Sequence, residues 1–305
     1  MYTYFLALIP LVMIFTVPPL IDGLGRKIKA SLHYRVGPSI MQTWYDLVSL
    51  LKIKPVIVGQ RLAFTLAPCI AFASAVTAAL ILPYGTTSIL SFTADVFVFI
   101  YTLAMVSISL MIAGFSVNNP YANIGANREM MLILTTEPII GVVFGVLALN
   151  TMSLNIYGIL SNLTLKPSLL LIYPILAYVI YVESGFIPFD IAEAETEILE
   201  GPLVEYNGAL LGLFKYALLI KKFTLLWFLS STIVLPFTRF FAVQAGLATW
   251  AIVLLMQFAS ILLIYTIYTM LEAYSARSRI RDVIKLNSKV FIAGLVILAI
   301  AATGW

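Results

Sequence analysis

Apolar segments of about twenty residues recur along the whole chain, separated by short polar loops. A helix needs about 20 mostly apolar residues to cross a bilayer, and eight segments meet this requirement. They are 4–21, 63–82, 96–117, 131–149, 169–186, 206–235, 246–271 and 290–305. Because helices satisfy their own backbone polar groups in lipid, these segments predict an all-α, polytopic transmembrane helix bundle.

The composition predicts a single integral membrane domain over residues 1–305. Hydrophobic residues make up 62% of the chain and charged residues 10%, whereas soluble domains carry about 25% charged residues. The net charge of +4 does not indicate nucleic-acid binding, since the basic residues lie in short loops beside apolar segments, as topology signals do. The N-terminus lacks the basic region of a signal peptide, so we expect the first apolar segment to be retained.

Lysine and arginine residues are distributed unequally between the two sides of the predicted bundle. Thirteen of the 18 lie in loops on one side and three lie within the sixth apolar segment, whereas the opposite side holds Lys166 and Arg239. Because cytoplasmic loops carry the excess of basic residues, we expect a multi-pass plasma-membrane protein with both termini outside. On the cytoplasmic side, segment 39–58 has apolar residues at helical spacing, which predicts an interfacial amphipathic helix. The overlong span 206–235 is compatible with a tilted helix, a broken helix or two shorter ones.

The chain has one cysteine, Cys69, and one histidine, His33. A protein-held iron–sulfur cluster needs about four thiolates, and a zinc site needs about three or four Cys, His or carboxylate ligands. We therefore expect no metal site and no cofactor bound by this chain. In its apolar setting Cys69 is predicted to be an inert core thiol.

Six carboxylates fall within residues 190–205, although the whole chain has only 14 acidic residues. They are Asp190, Glu193, Glu195, Glu197, Glu200 and Glu205. If this segment is a helix, Asp190, Glu193, Glu197 and Glu200 form one stripe, in which like charges repel each other. Such a stripe faces water, binds a cation or a basic partner, or holds protons. We predict that the six acids take part in proton or ion coupling, with a simple solvated loop as the alternative.

Two further acids, Glu137 and Glu183, lie within predicted spans. A charge at the bilayer centre costs about 3 kcal/mol on insertion scales, so such a group faces a cavity or pairs with a neighbouring helix. A carboxyl group that titrates near neutral pH relays protons. We therefore add Glu137 and Glu183 to the predicted coupling residues, with a purely structural pairing as the alternative.

Basic residues on the acidic side are candidates for partner docking or ion pairing. Arg35 precedes a Gly-Pro turn, and its planar guanidinium suits bidentate pairing with a carboxylate. Lys215, Lys221 and Lys222 lie in the sixth apolar segment, where they either pair with the acids or extend to the interface. The predicted docking or ion-pairing residues are Arg26, Arg35, Arg128 and Lys215.

Three motifs resemble those of one family. Residues 187–198 (Ile-Pro-Phe-Asp-Ile-Ala-Glu-Ala-Glu-Thr-Glu-Ile) and 204–208 (Val-Glu-Tyr-Asn-Gly) resemble the signature of the quinone-site membrane subunit of respiratory complex I, also called NADH dehydrogenase subunit 1. Residues 34–38 (Tyr-Arg-Val-Gly-Pro) resemble its first-loop signature, and residues 113–137 resemble its third-loop and fourth-helix signature. The motifs occur in the same order, on the same predicted side, and cover nearly the whole chain.

Two departures separate the chain from the quinone-dependent members of that family. The chain passes directly from residues 34–38 into segment 39–58, where the quinone enzymes have a longer insert, and Phe186 stands where they usually carry an arginine. The short form is similar to the corresponding subunit of membrane-bound hydrogenases and archaeal ferredoxin-linked complexes. Both departures favour a complex that reduces protons or a sulfur substrate on its peripheral arm.

The resemblance implies a membrane anchor beneath a nickel–iron-hydrogenase-like large subunit and its iron–sulfur partner on the cytoplasmic side. Iron–sulfur clusters, and a nickel–iron site in a hydrogenase, would then lie in those partner subunits. The cytoplasmic acids would receive protons or a coupling signal from this arm. The resemblance further implies a continuation toward antiporter-like membrane subunits, with lipid around the bundle, through Glu137, Glu183, Glu193, Glu195 and Glu197.

We therefore predict the membrane-anchor and proton- or ion-coupling subunit of a redox-driven ion-translocating complex, with no catalytic residue in this chain. The alternatives are a cation-coupled secondary transporter, a passive scaffold for a basic partner, and the quinone-binding subunit of a true complex I. Inverted repeats and paired broken helices would favour the transporter, as would purification without iron–sulfur proteins. The sequence leaves the transported ion and the terminal electron acceptor open.

Overall fold

A computed structural model describes residues 2–56, 62–238 and 247–304 of the chain. Within these ranges the helices are α1 (Tyr2–Leu32), α2 (Gln42–Lys52), α3 (Leu62–Ile81), α4 (Asp95–Phe115), α5 (Pro120–Thr151), α6 (Ile156–Asn162), α7 (Pro167–Glu183), α8 (Glu195–Ile198), α9 (Gly208–Thr238), α10 (Leu247–Tyr274) and α11 (Ile280–Ala302). An antiparallel hairpin of β1 (Pro83–Tyr84) and β2 (Thr87–Ser88) joins α3 to α4, and a 3-10 turn (Gly201–Leu203) precedes α9.

Seven of the described helices are long and apolar enough to cross a membrane, namely α1, α3, α4, α5, α9, α10 and α11. The apolar helix α7 has 17 residues and is about 25 Å long at 1.5 Å per residue, close to the roughly 30 Å thickness of the hydrocarbon core. Helix α2 provides the short amphipathic element and buries Thr43 and Leu47. The predicted all-α polytopic bundle is confirmed.

Two helices begin before the apolar spans predicted for them, because polar residues extend each helix beyond its apolar stretch. Helix α5 begins at Pro120 and not at residue 131, since the Asn119 side chain accepts a hydrogen bond from the backbone N–H of Tyr121 at 2.9 Å. Helix α11 already begins at Ile280, where charged residues occupy its first turns. The overlong sixth span is one unbroken helix, α9.

The acidic segment is not a continuous helix, so the predicted stripe of Asp190, Glu193, Glu197 and Glu200 is wrong. Helical backbone is confined to the four residues of α8. Leu199 and Glu200 then adopt positive φ angles of 52° and 66°, which end the helix. Because like charges on one helical face repel each other, an irregular loop allows Asp190, Glu197 and Glu200 to pair with separate basic residues.

Helix α3 shows which faces form the core. It packs against α4 and α9 through a buried stripe of small residues, Ala67, Ala71, Ala75 and Ala78, which permits close helix approach. Cys69 follows Ala67 by two residues and therefore lies on the opposite side of the helix. The core prediction for Cys69 is wrong, since this thiol is exposed on the outside of the bundle.

Candidate functional site

A buried ion pair between α7 and α9 lies at the centre of the candidate site. The Lys221 ammonium donates hydrogen bonds to Glu183 Oε2 and to Ser107 Oγ, both at 2.7 Å. The hydroxyl of Thr136 donates to the other carboxylate oxygen of Glu183. The Lys221 and Glu183 side chains are 6% and 10% exposed, and charges buried this deeply need such partners. Of the two alternatives for Lys221, pairing with an acid is the one observed.

Two glutamates on one face of α5 approach this pair. Glu129 is hydrogen-bonded with Ser107 and lies within electrostatic range of Lys221 and Glu183. Glu137 lies within electrostatic range of the same two residues. Residues eight positions apart are about two helical turns apart on the same face. The structure therefore brings the predicted residues Glu137 and Glu183 together.

Sequence reasoning missed Glu129, because the predicted fourth span began after it. The Asn119-Pro120 pair, a typical N-cap followed by proline at the first helical position, is the signal that could have found it. A helix begun there places Glu129 on the face of Glu137, within reach of the buried pair.

Four acids of the loop between α7 and α9 have a partner each, and the four partners are different. The ion pairs are Asp190–Arg277 (3.0 Å), Glu197–Arg128 (2.8 Å) and Glu200–Lys215 (3.5 Å). Glu205 accepts a hydrogen bond from Asn119 Nδ2 at 2.6 Å. The side chain of Glu195 lies outside the described part of the structure. The loop is therefore attached to α5, α9 and the α10–α11 connection by its own acids.

The predicted basic residues divide into paired and unpaired ones. Arg26 of α1 bridges Asp22 of the same helix (3.0 Å) and Asp46 of α2 (3.2 Å). Arg128 and Lys215 form the loop pairs given above. Arg35 is exposed and forms no ion pair with a described residue, so its role in partner docking or ion pairing stays a prediction.

Two cavities with a partly shared lining lie between the loop acids and the buried pair. The inner cavity has a volume of about 130 Å³, and its lining includes Glu129, Glu183 and Lys221. The outer cavity has a volume of about 250 Å³ and opens beside Arg26 and Asp46. The residues that line both cavities are Asp190, Glu193, Leu218 and Lys222. Polar cavities of these sizes have room for water molecules.

Glu193 has an electrostatic setting suited to proton exchange. Burial, supported by the negative charges of Asp190, Glu129 and Glu200, raises the pKa of Glu193 to about 8, while Lys222 acts in the opposite direction. Burial also raises the pKa of Asp190, although the nearby Arg277 guanidinium opposes the shift. A carboxyl group with a pKa near neutral can both accept and release a proton at working pH. Among the described residues, no group of three or more His, Cys, Asp or Glu side chains is arranged to hold a metal ion.

Comparison with known proteins agrees with this architecture. A family model described as NADH dehydrogenase matches residues 4–303. The chain belongs to this family. The resemblance predicted from the three motifs is thereby confirmed, with the motif acids Asp190 and Glu193 on the shared wall of the two cavities.

Relatives within the NADH dehydrogenase family come from several enzymes. Hydrogenase-4 component C of Escherichia coli (strain K12) is 34% identical over 284 residues, which cover 91% of this chain and 89% of the relative. Formate hydrogenlyase subunit 4 of the same organism is 33% identical over 228 residues, which cover 72% of this chain and 74% of the relative. A chain in the solved structure of the membrane-bound sulfane sulfur reductase, an archaeal respiratory membrane complex, superimposes with a TM-score of 0.80 at 26% identity, over 99% of this chain and 100% of that one.

Proposed function

We propose that this chain is the membrane-anchor and proton- or ion-coupling subunit of a redox-driven ion-translocating complex of the membrane-bound hydrogenase type. The polar path through the two cavities supports the proposal. It begins at Arg26 and Asp46, passes Glu193, and reaches the Lys221–Glu183 pair beside Glu137. A passive anchor would not need this many carboxylates at the cost of burying them.

The coupling acts through charge. When the partner's redox state changes the charge or position of the acidic loop, Glu193 gains or loses a proton. Because charges interact strongly where water is scarce, this step changes the field at the Lys221 ammonium, which faces the same cavity. The changed field at Lys221 then alters the relative proton affinities of the three glutamates that interact with this ammonium, Glu129, Glu183 and Glu137.

The partners follow from the same proposal. The electron-carrying arm is a hydrogenase-like large subunit with an iron–sulfur subunit, which hold the iron–sulfur clusters and, in a hydrogenase, a nickel–iron site. The arm docks on the face that bears the acidic loop, and antiporter-like membrane subunits and lipid surround the spans. Relatives named as parts of a hydrogenase and of a sulfane sulfur reductase support such an arm. In this proposal the protein is a multi-pass component of the plasma membrane, with both termini outside.

The test of the proposal separates ion transport from redox chemistry. The variants Glu137→Gln and Glu183→Gln, in the intact complex reconstituted into vesicles, should abolish ion translocation. The redox activity of the complex in detergent should largely survive, because the electron carriers lie in other chains. The matched control is Asp282→Asn, which removes an exposed carboxylate of α11 away from both cavities. Persistent translocation in both glutamate variants would refute the coupling role.

A further inference from the structure

The shared wall of the two cavities forms a neck, and Lys222 is the cation in it. The neck consists of Asp190, Glu193, Leu218 and Lys222. These four side chains face both cavities. The positive charge of Lys222 therefore acts on both of them.

Neighbouring lysines of α9 are held in different ways. Lys221 is fixed by its short bonds to Glu183 and Ser107. The Lys222 ammonium lies 4.4 Å from the centre of the Phe186 ring and forms no ion pair with a described residue. Phe186 is itself fully buried and packed against Tyr181 and Tyr268, so the position of the ring beside the Lys222 ammonium is fixed by its neighbours.

Two carboxylates of the neck compete for Lys222, and they are not equivalent. Asp190 already has Arg277 as its partner at 3.0 Å. Glu193 forms no ion pair with a described residue, yet it lies within electrostatic range of Lys222. The other charged groups that influence Glu193 are all acidic, namely Asp190, Glu129 and Glu200. Lys222 is therefore the cation available to an ionised Glu193.

We propose that Lys222 is a swinging positioning residue that gates the neck by moving between the Phe186 ring and the Glu193 carboxylate. The inference rests on the proposed coupling function and assigns its control point. With Glu193 protonated, Lys222 rests on the ring, in the position that the structure shows, and the neck is open to water. With Glu193 ionised, the ammonium pairs with the carboxylate, and the lysine side chain lies across the neck. Lysine suits this motion because its point charge is carried on a flexible four-carbon stem.

The test follows the titration of Glu193 in the purified intact complex by infrared difference spectroscopy. The carboxyl band that disappears in Glu193→Gln identifies the group. In Lys222→Met the titration midpoint of Glu193 should move to higher pH, because the carboxylate loses its cation. Pentafluorophenylalanine in place of Phe186 keeps the ring shape but removes the attraction to cations. It should move the midpoint to lower pH by about half a unit, a threefold change in proton affinity.

A charge-matched control comes from helix α11. Lys285→Met removes an exposed ammonium that lines neither cavity and should leave the Glu193 midpoint in place. Opposite shifts for the two neck variants, with an unchanged control, support a moving cation. An upward shift in Lys222→Met with no shift for the fluorinated ring would show a fixed counter-charge and overturn the gate. An unshifted midpoint in Lys222→Met would overturn it as well.

Translocation measurements on these variants distinguish a failure of the gate from a failure of the coupling function. In vesicles, Lys222→Met should move the pH profile of ion translocation upward, together with the Glu193 midpoint. The infrared result does not depend on translocation. If Glu137→Gln and Glu183→Gln still translocate ions, the coupling proposal fails while the spectroscopic test of the gate remains valid.

Discussion

Lys221 is a lysine in the middle of an apolar helix, and its partners determine what its removal costs. Breaking a buried pair by removing one partner costs about 3–5 kcal/mol, because an uncompensated charge remains. We expect Lys221→Met to lower stability by this order, since Glu183 is only 10% exposed. The double variant Lys221→Met with Glu183→Gln should be more stable than Lys221→Met alone, because no charge then stays unpaired. Thermal unfolding of the complex in detergent measures both; a double variant less stable than the single one would contradict the pairing.

The raised pKa of Glu193 predicts that the folded protein loses stability as the pH rises. Its pKa rises from the ordinary 4.5 to about 8 in the folded protein, so between these values the folded state keeps a proton that the unfolded state has released. Stability should therefore fall as pH rises from about 4.5 to about 8. Glu193→Gln should make the unfolding temperature less sensitive to pH in this window, measured at one scan rate. Asp282→Asn, at an exposed side chain of α11 away from both cavities, should keep the wild-type slope. Equal slopes for wild type and Glu193→Gln would refute the assignment.

At the scale of elements, a glycine of α5 lets the acidic loop approach the bundle. A Cβ atom at Gly125 would lie 2.9 Å from the carbonyl oxygen of Ala192 and 2.6 Å from Pro202 Cδ, both closer than real Cβ contacts allow. Gly125→Ala should push the loop off the helix, at a cost of about 1–3 kcal/mol, and increase hydrogen exchange in residues 188–206. Gly141→Ala on the same helix has open space around it and should leave loop exchange unchanged. Equal exchange in the two variants would show that Gly125 does not hold the loop.

The local pattern of apolar residues predicted which segments form helices. It did not predict where the helices end or the path of the acidic loop between α7 and α9. The apolar period of about twenty residues located every span, because each helix satisfies its own backbone within one segment. The start of α5 required the Asn119 cap, and the path of the loop depended on partners distant in sequence. Asp190 is fixed by Arg277, 87 residues away, and no local pattern reports such a contact. Glu137 and Glu183 were found because an acid within an apolar run is conspicuous by itself, whereas Glu129 beside Arg128 was not.

For the whole molecule, the described ion pairs place the basic loops and the acidic loop on one side of the bundle. Lys29 of α1 pairs with Glu272 of α10 at 2.9 Å, and Arg277 beyond α10 pairs with Asp190 at 3.0 Å. The side of the bundle that carries the excess of lysine and arginine is the predicted cytoplasmic side. The outer cavity opens on this same side. If this side is cytoplasmic, the proposed coupling path opens toward the compartment of the electron-carrying arm.

Cysteine labelling tests this orientation. In a Cys69→Ala background, His33→Cys places a thiol at an exposed position after α1, and Thr93→Cys places one at an exposed position before α4, across the membrane from the first. Because the excess of lysine and arginine marks the cytoplasmic side, a membrane-impermeant maleimide should label His33→Cys only in inside-out vesicles. It should label Thr93→Cys only in right-side-out vesicles. The reverse pattern would put the acidic loop outside the cell, away from any cytoplasmic electron donor, and the proposed coupling path would have no source of its signal.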